Sequence, residues 1–246
     1  MSNTQLDVLV IAAHPDDAEL SVGGTLIKLA QLGYKTGVAD MTRGERGTRG
    51  TPEVRAREAA RAATVLGLTV RDNVGLADAH LLDEHAARVA VVRLIRQYRP
   101  AVVFTHYWDD PHPDHAQTSR VVTAAAHLAG LVNYDPAAGQ ARHRPNAVAY
   151  FLFPHRVAPS FVVDITDVAA QKLEAIKCYE SQFHNPNSAE PETMLSAESF
   201  LRRVEARQRY YGAIIDVEHG EAFYVKQALN VDDPVRLLTR TMSLYS

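Results

Sequence analysis

Residues 6–13 (LDVLVIAA) form a nearly continuous apolar run, rich in β-branched side chains and broken only by Asp7. Such a run predicts a strand buried on both faces, as in a parallel sheet covered by helices. Residues 101–105 (AVVFT) form a second run of this kind. Strand and helix signals alternate around the two. A helix is expected over 23–32, closed by Gly33, and a strand over 36–41. Pro52 opens a helix to Leu66, with Gly67 at its end, and a helix over 85–98 stops before Pro100. Further helices are expected from 114 to about 129, over 167–179 and over 199–211, and further strands over 147–153, 161–165 and 222–225. This order predicts an α/β fold, with a mostly parallel sheet and helices on both faces, as a single domain over residues 1–246.

Composition narrows the function classes. The chain is 46% hydrophobic and 22% charged, ordinary for a globular protein, and its net charge of −3 gives no basic field for nucleic acid. The single cysteine, Cys178, rules out an internal disulfide and fits a reducing cytoplasm. The first residues lack the basic start of a signal peptide, and the first apolar run is too short to span a bilayer. No nucleic-acid or membrane partner is expected.

Two motifs carry the chemistry. Ala13-His14-Pro15-Asp16-Asp17 follows the first buried run, and His112-Pro113-Asp114-His115 follows the second after a polar loop. In doubly wound sheets, sites form beyond the C-terminal ends of the strands, so segments about a hundred residues apart can meet there. A catalytic zinc site has three protein ligands and one open position. His14, Asp17 and His115 supply that set. Asp16 points away from its neighbour Asp17 and is left as a general base. His112 is a spare imidazole suited to stabilising an oxyanion or protonating a leaving amine, and Asp114 can accept its hydrogen bond and keep it charged. Taken singly, each motif also reads as a turn with a helix cap. A nucleotide-binding protein is disfavoured, because neither G-x-G-x-x-G nor a Walker lysine follows the first strand. A closed structural zinc site would want four ligands, usually with cysteine.

With these residues the chain resembles the LmbE/PIG-L family of zinc-dependent N-acetylglucosaminyl deacetylases, which have a Rossmann-like sheet. The likeness includes AHPDDAEL followed by Gly23-Gly24-Thr25, the loop MTRGERGTRGT, the helix start EVRAREAARAATVLG, and PHPDH. YESQF, VEARQRYYG and GEAF look like the subgroup that makes bacillithiol, whose enzyme is an N-acetylglucosaminyl-malate deacetylase. The resemblance implies zinc, or Fe²⁺ or another divalent ion, on His14, Asp17 and His115. It implies Asp16 as base, His112 as the imidazole at the tetrahedral intermediate with Asp114 orienting it, and Arg55 facing substrate. It also implies a small-molecule substrate and a cytoplasmic homo-oligomer, since related enzymes are often hexamers.

Malate carries two carboxylates, and the loop arginines Arg43, Arg46 and Arg49, with Arg55, suit such an anion. Arg43 and Arg46 can instead pair with Glu45 or Asp40 and shape the loop. Glu45 is a candidate for sugar hydroxyls. The alternative substrates are diacetylchitobiose, N-acetylglucosamine and a mycothiol-type glycoside, and a thiol conjugate amidase is a further reading.

Overall fold

The computed structural model describes residues 4–81, 84–152 and 157–239. The elements run β1 (Val8–Ala12), α1 (Asp17–Gln31), β2 (Thr36–Thr42), α2 (Pro52–Leu66), β3 (Val70–Leu76), α3 (Glu84–Tyr98), β4 (Val102–His106) and α4 (Pro113–Leu128). They continue with β5 (Ala147–Phe151), β6 (Phe161–Asp164), α5 (Ala169–Lys177), α6 (Ser199–Ile214), β7 (Gly220–Val225) and α7 (Pro234–Leu238). The seven strands form one sheet in the order β3-β2-β1-β4-β5-β7-β6. The first five are parallel neighbours, and β7 pairs antiparallel with both β5 and β6.

All five residues of β1 are buried, which is why the run is apolar throughout. Leu9 and Ile11 face a core that includes Val91, Val92 and Ile95 of α3 and Val121 and Val122 of α4. Val8, Val10 and Ala12 face the opposite core, with Leu26 and Ile27 of α1, Leu66 of α2 and Ala175 of α5. The two-residue alternation of the strand thus serves two helical layers at once.

The helix expected from residue 23 begins six residues earlier, at Asp17, and is kinked at Val22 (φ −136°, ψ 16°). The expected start marks the second segment. There Gly24 and Thr25 donate their main-chain N–H groups to the Glu221 carboxylate (2.9 and 2.7 Å), which caps it from β7. Gly24 has to be glycine, because a Cβ there would lie 2.8 Å from Ile165. Strand β3 was not anticipated. Its sequence, VRDNVGL, is half polar because it forms the sheet edge and is only partly covered. The strand expected over 147–153 ends at Phe151, and Phe153 lies outside the described residues. Among the described residues, no helix is long and apolar enough to cross a membrane.

Candidate metal centre

From β1 the sheet grows in two directions, through β2 to β3 on one side and through β4 onward on the other. The crevice beyond the C-terminal ends of β1 and β4 is therefore the topological switch point. His14, Asp16 and Asp17 occupy the turn from β1 into α1. His112 caps the N-terminus of α4 after β4, and Asp114 and His115 lie in its first turn. The two motifs meet: the ring centroids of His14 and His112 are 5.0 Å apart, those of His112 and His115 4.4 Å, and those of His14 and His115 5.5 Å.

Among the described residues, three groups bring three possible donor atoms within 4.8 Å of one another: His14–His112–His115, Asp17–His106–His115 and His14–Asp78–Asp114. The anticipated trio of His14, Asp17 and His115 is divided between the first two. Asp17 bridges it, with one oxygen 3.3 Å from His14 Nδ1 and the other 3.3 Å from His115 Nε2. The electrostatics favour positive charge at this centre. Burial lowers the His14 pKa, but Asp114, Asp17 and Asp78 outweigh it and raise the ring well above its usual range. Burial is likewise overcome at His115, which Asp17 and Asp110 lift to about 9. Asp17 is pulled well below the carboxylate range, against burial, by His115, His106 and His14. Imidazole and carboxylate donors in an anionic field suit a divalent cation of the zinc or iron(II) type.

Asp16 stands apart from this cluster. It is non-glycine at φ 115°, a costly left-handed conformation, and its carboxylate belongs to none of the three donor groups. Arg55 of α2 holds it there. Its Nη2 donates to Asp16 Oδ2 at 3.0 Å and also to the main-chain oxygen of Pro15. Burial raises the Asp16 pKa to about 7, against the pull of Arg55. A carboxyl poised there can accept and return a proton near neutrality.

Three expectations change. The Asp114 carboxylate does not serve His112. The main-chain N–H of Asp114 donates to His112 Nδ1 (3.2 Å), while the carboxylate reaches His14 Nε2 (3.3 Å) and accepts from Ala79 N–H (2.9 Å). The reason is geometric, since residue 114 lies inside the helix that His112 caps. His112 is also not kept charged: burial, then His115 and His14, lower its pKa. Glu45 shapes its loop, accepting N–H from Asp78 (2.9 Å) and Arg43 (3.2 Å), and does not line the cavity.

A cavity of about 600 Å³ opens over the cluster. Arg49, Arg55 and Arg46 line it from the β2–α2 side, and Phe200, Arg203 and Arg207 of α6 from the other. Sequence reasoning missed Asp78, His106 and Asp110. His106 ends β4, stacks on His115 at 4.1 Å, and its Nε2 accepts from Ala13 N–H at 2.9 Å. Burial, then His115, push its pKa down to about 4, so it is neutral. A histidine closing a buried parallel strand was the available signal.

A family model described as PIG-L, GlcNAc-PI de-N-acetylase, matches residues 9–126. The chain is 32% identical over 232 residues to the diacetylchitobiose deacetylase of Thermococcus kodakarensis, covering 87% of this chain and 80% of that one. It is 26% identical over 202 residues to the 4-oxalmesaconate hydratase of Pseudomonas putida, covering 75% and 77%. The crystal structure of the conserved protein TT1542 from Thermus thermophilus superposes with a TM-score of 0.82 at 37% identity, covering 93% of this chain and 98% of that one.

Proposed function

Because the chain belongs to the PIG-L/LmbE family of deacetylases, we propose that it is a metal-dependent hydrolase of the N-acetyl group of N-acetylglucosaminides. The preferred substrate in this reading is N-acetyl-α-D-glucosaminyl L-malate, giving glucosaminyl malate and acetate as a step of bacillithiol biosynthesis. The observation that carries the hydrolase reading is the meeting of the two motifs at the switch point, where an arginine holds the buried carboxyl of Asp16 outside the three donor groups. The malate assignment draws on the bacillithiol-like segments and on the arginines around the cavity.

His14, Asp17 and His115 would hold the ion. When bound, a divalent cation supplies Lewis acidity, polarising the acetamide carbonyl and acidifying water. Asp16 takes the proton of the attacking water as its oxygen bonds to the carbonyl carbon. His112, at the cavity wall, donates to the oxygen that gains charge, an effect worth about 3 kcal/mol for a well-placed donor. Asp16 then returns its proton to the nitrogen, the C–N bond breaks, and acetate departs with the amine left on the sugar. Asp78 and Asp114 orient His14. Arg55 positions Asp16. In this reading the protein is a cytoplasmic homo-oligomer acting on a small molecule.

A second reading, a hydratase like the Pseudomonas putida relative, draws on the same arginine-lined cavity. One assay separates the two: acetate release from N-acetylglucosaminyl malate, diacetylchitobiose and N-acetylglucosamine by zinc-loaded protein, with Asp16→Asn as control. Turnover lost in Asp16→Asn while metal content is kept supports the mechanism. Preference for a neutral sugar removes the malate assignment. A protein that binds metal and releases no acetate from any of them removes the deacetylase reading.

A further inference from the structure

The pairing of β1 with β4 runs from Val8 opposite Val102 to Ile11 opposite Thr105. The two motifs begin beyond its end, one in the turn that leaves β1 and one in the loop that leaves β4. His106, the last residue of β4, continues the connection with its side chain. Its Nε2 accepts the main-chain N–H of Ala13, the residue before His14, at 2.9 Å. Its ring stacks on that of His115, with centroids 4.1 Å and planes 22° apart, and meets the Phe151 ring of β5 at 4.7 Å. The side chain is 1% exposed. One buried ring therefore touches the main chain of the first motif and a side chain of the second.

Asp17 lies against both imidazoles. Its Oδ2 is 3.5 Å from His106 Nε2, and its Oδ1 is 3.3 Å from His115 Nε2. The same Oδ2 accepts the main-chain N–H of His14 at 2.9 Å. His106 also belongs to one of the three donor groups, with Asp17 and His115. Its hydrogen bond decides against its being a ligand. A neutral imidazole has one N–H and one lone-pair nitrogen. Nε2 accepts from Ala13, so Nδ1 carries the proton, and neither nitrogen has a lone pair to give an ion while that bond is kept.

We propose that His106 is a positioning residue of the metal centre. It extends the β1–β4 connection by one side chain and seats the His115 ring against Asp17, so that the ligands contributed after the two strands face one another. The proposal rests on the metal-centre part of the reading above and is independent of the substrate.

The test compares the full chain as wild type, His106→Gln and His106→Phe. Glutamine keeps an acceptor for Ala13 and loses the ring, whereas phenylalanine keeps a ring and loses the acceptor. The readouts are the zinc dissociation constant, by competition with a chromogenic chelator, the visible absorption of the cobalt(II)-loaded protein, and kcat and KM for acetate release. Both variants are expected to bind zinc about 10- to 100-fold more weakly, as when an outer partner of a metal ligand is lost. Both should alter the cobalt bands and lower kcat with KM little changed. Melting of the metal-free proteins shows whether each variant is folded; if one is not, the other carries the measurement. Zinc affinity and cobalt bands that match wild type overturn the proposal, even where the metal-free protein melts earlier, since His106 then only packs. Zinc binding lost as completely as in His115→Ala also overturns it and makes His106 a ligand. A metal affinity that depends on His106 in a protein that hydrolyses no N-acetyl sugar removes the deacetylase reading and leaves the proposal standing. A wild type that binds neither zinc nor cobalt removes both.

Discussion

Lys172 Nζ lies 2.7 Å from Glu221 Oε1, and the two side chains are 1% and 2% exposed. The same carboxylate caps the second segment of α1, so one buried charge pair ties α5, β7 and α1 together. Removing one member of a buried pair leaves an uncompensated charge. Lys172→Met is expected to lower unfolding free energy by about 3 kcal/mol, read from urea denaturation. A loss below about 1 kcal/mol would mean that the two capping N–H groups alone satisfy Glu221.

Arg55 is expected to act through Asp16. Arg55→Lys keeps a charge but loses the fork that reaches both Asp16 and Pro15. The expected outcome is a fall in kcat of about tenfold or more with metal content unchanged, since misplacing a general base removes part of its roughly 10²–10⁴-fold effect. A change confined to KM would instead place Arg55 on substrate.

Metal binding is expected to stabilise the fold, because the donors come from the ends of two strands and the starts of two helices. Zinc at about 100 times its dissociation constant should add about 2.7 kcal/mol, seen as a rise in melting temperature that a chelator reverses. His14→Ala and His115→Ala should abolish the rise, whereas His112→Ala should keep most of it. Loss of the zinc response in His112→Ala would move the ion to the His14–His112–His115 group.

Asp40 supplies a pH signature. It is buried, accepts from Arg71 Nη2 at 2.7 Å, and leaves its Oδ1 without a partner. Burial raises its pKa from 3.8 to about 6, against the pull of Arg71. Above pH 6 the carboxyl is ionised in both folded and unfolded chains, and its burial costs stability. As pH falls from 6 toward 4 the folded chain takes up a proton that the unfolded chain does not, so this group then adds stability, by about 3 kcal/mol at most. Denaturation of wild type against Asp40→Asn at pH 7 and pH 4.5 reads it: wild type should gain relative to the variant at the lower pH. A gap that stays constant would show that Arg71 holds Asp40 ionised throughout.

The inner parallel strands β2, β1, β4 and β5 and the meeting of the two motifs were legible because both rest on local signals, a buried run and the turn that follows it. What escaped was set by distant contacts. The early start of α1 depends on a left-handed Asp16 that Arg55 anchors from another helix. The edge strand β3 keeps Val70, Val74 and Leu76 on one face against the core, but Asp72 interrupts the alternation that would announce it. The insertion of β7 between β5 and β6 is a matter of pairing, which no single segment encodes. Asp78 is drawn in by a pair of loop contacts, one to the main chain of Arg46 and one to His14. The carboxylate of Asp114 turned to His14 because the helix start fixed its direction.

The cavity wall contributed by α6 has an evolutionary consequence. The residues proposed for bond breaking all lie between His14 and His115, whereas Arg203 and Arg207 are encoded some ninety positions later. A lineage can therefore exchange one short stretch of its gene and offer the same chemistry to a different molecule. Chimeras between relatives, joined after β6, would let that division of labour be observed directly.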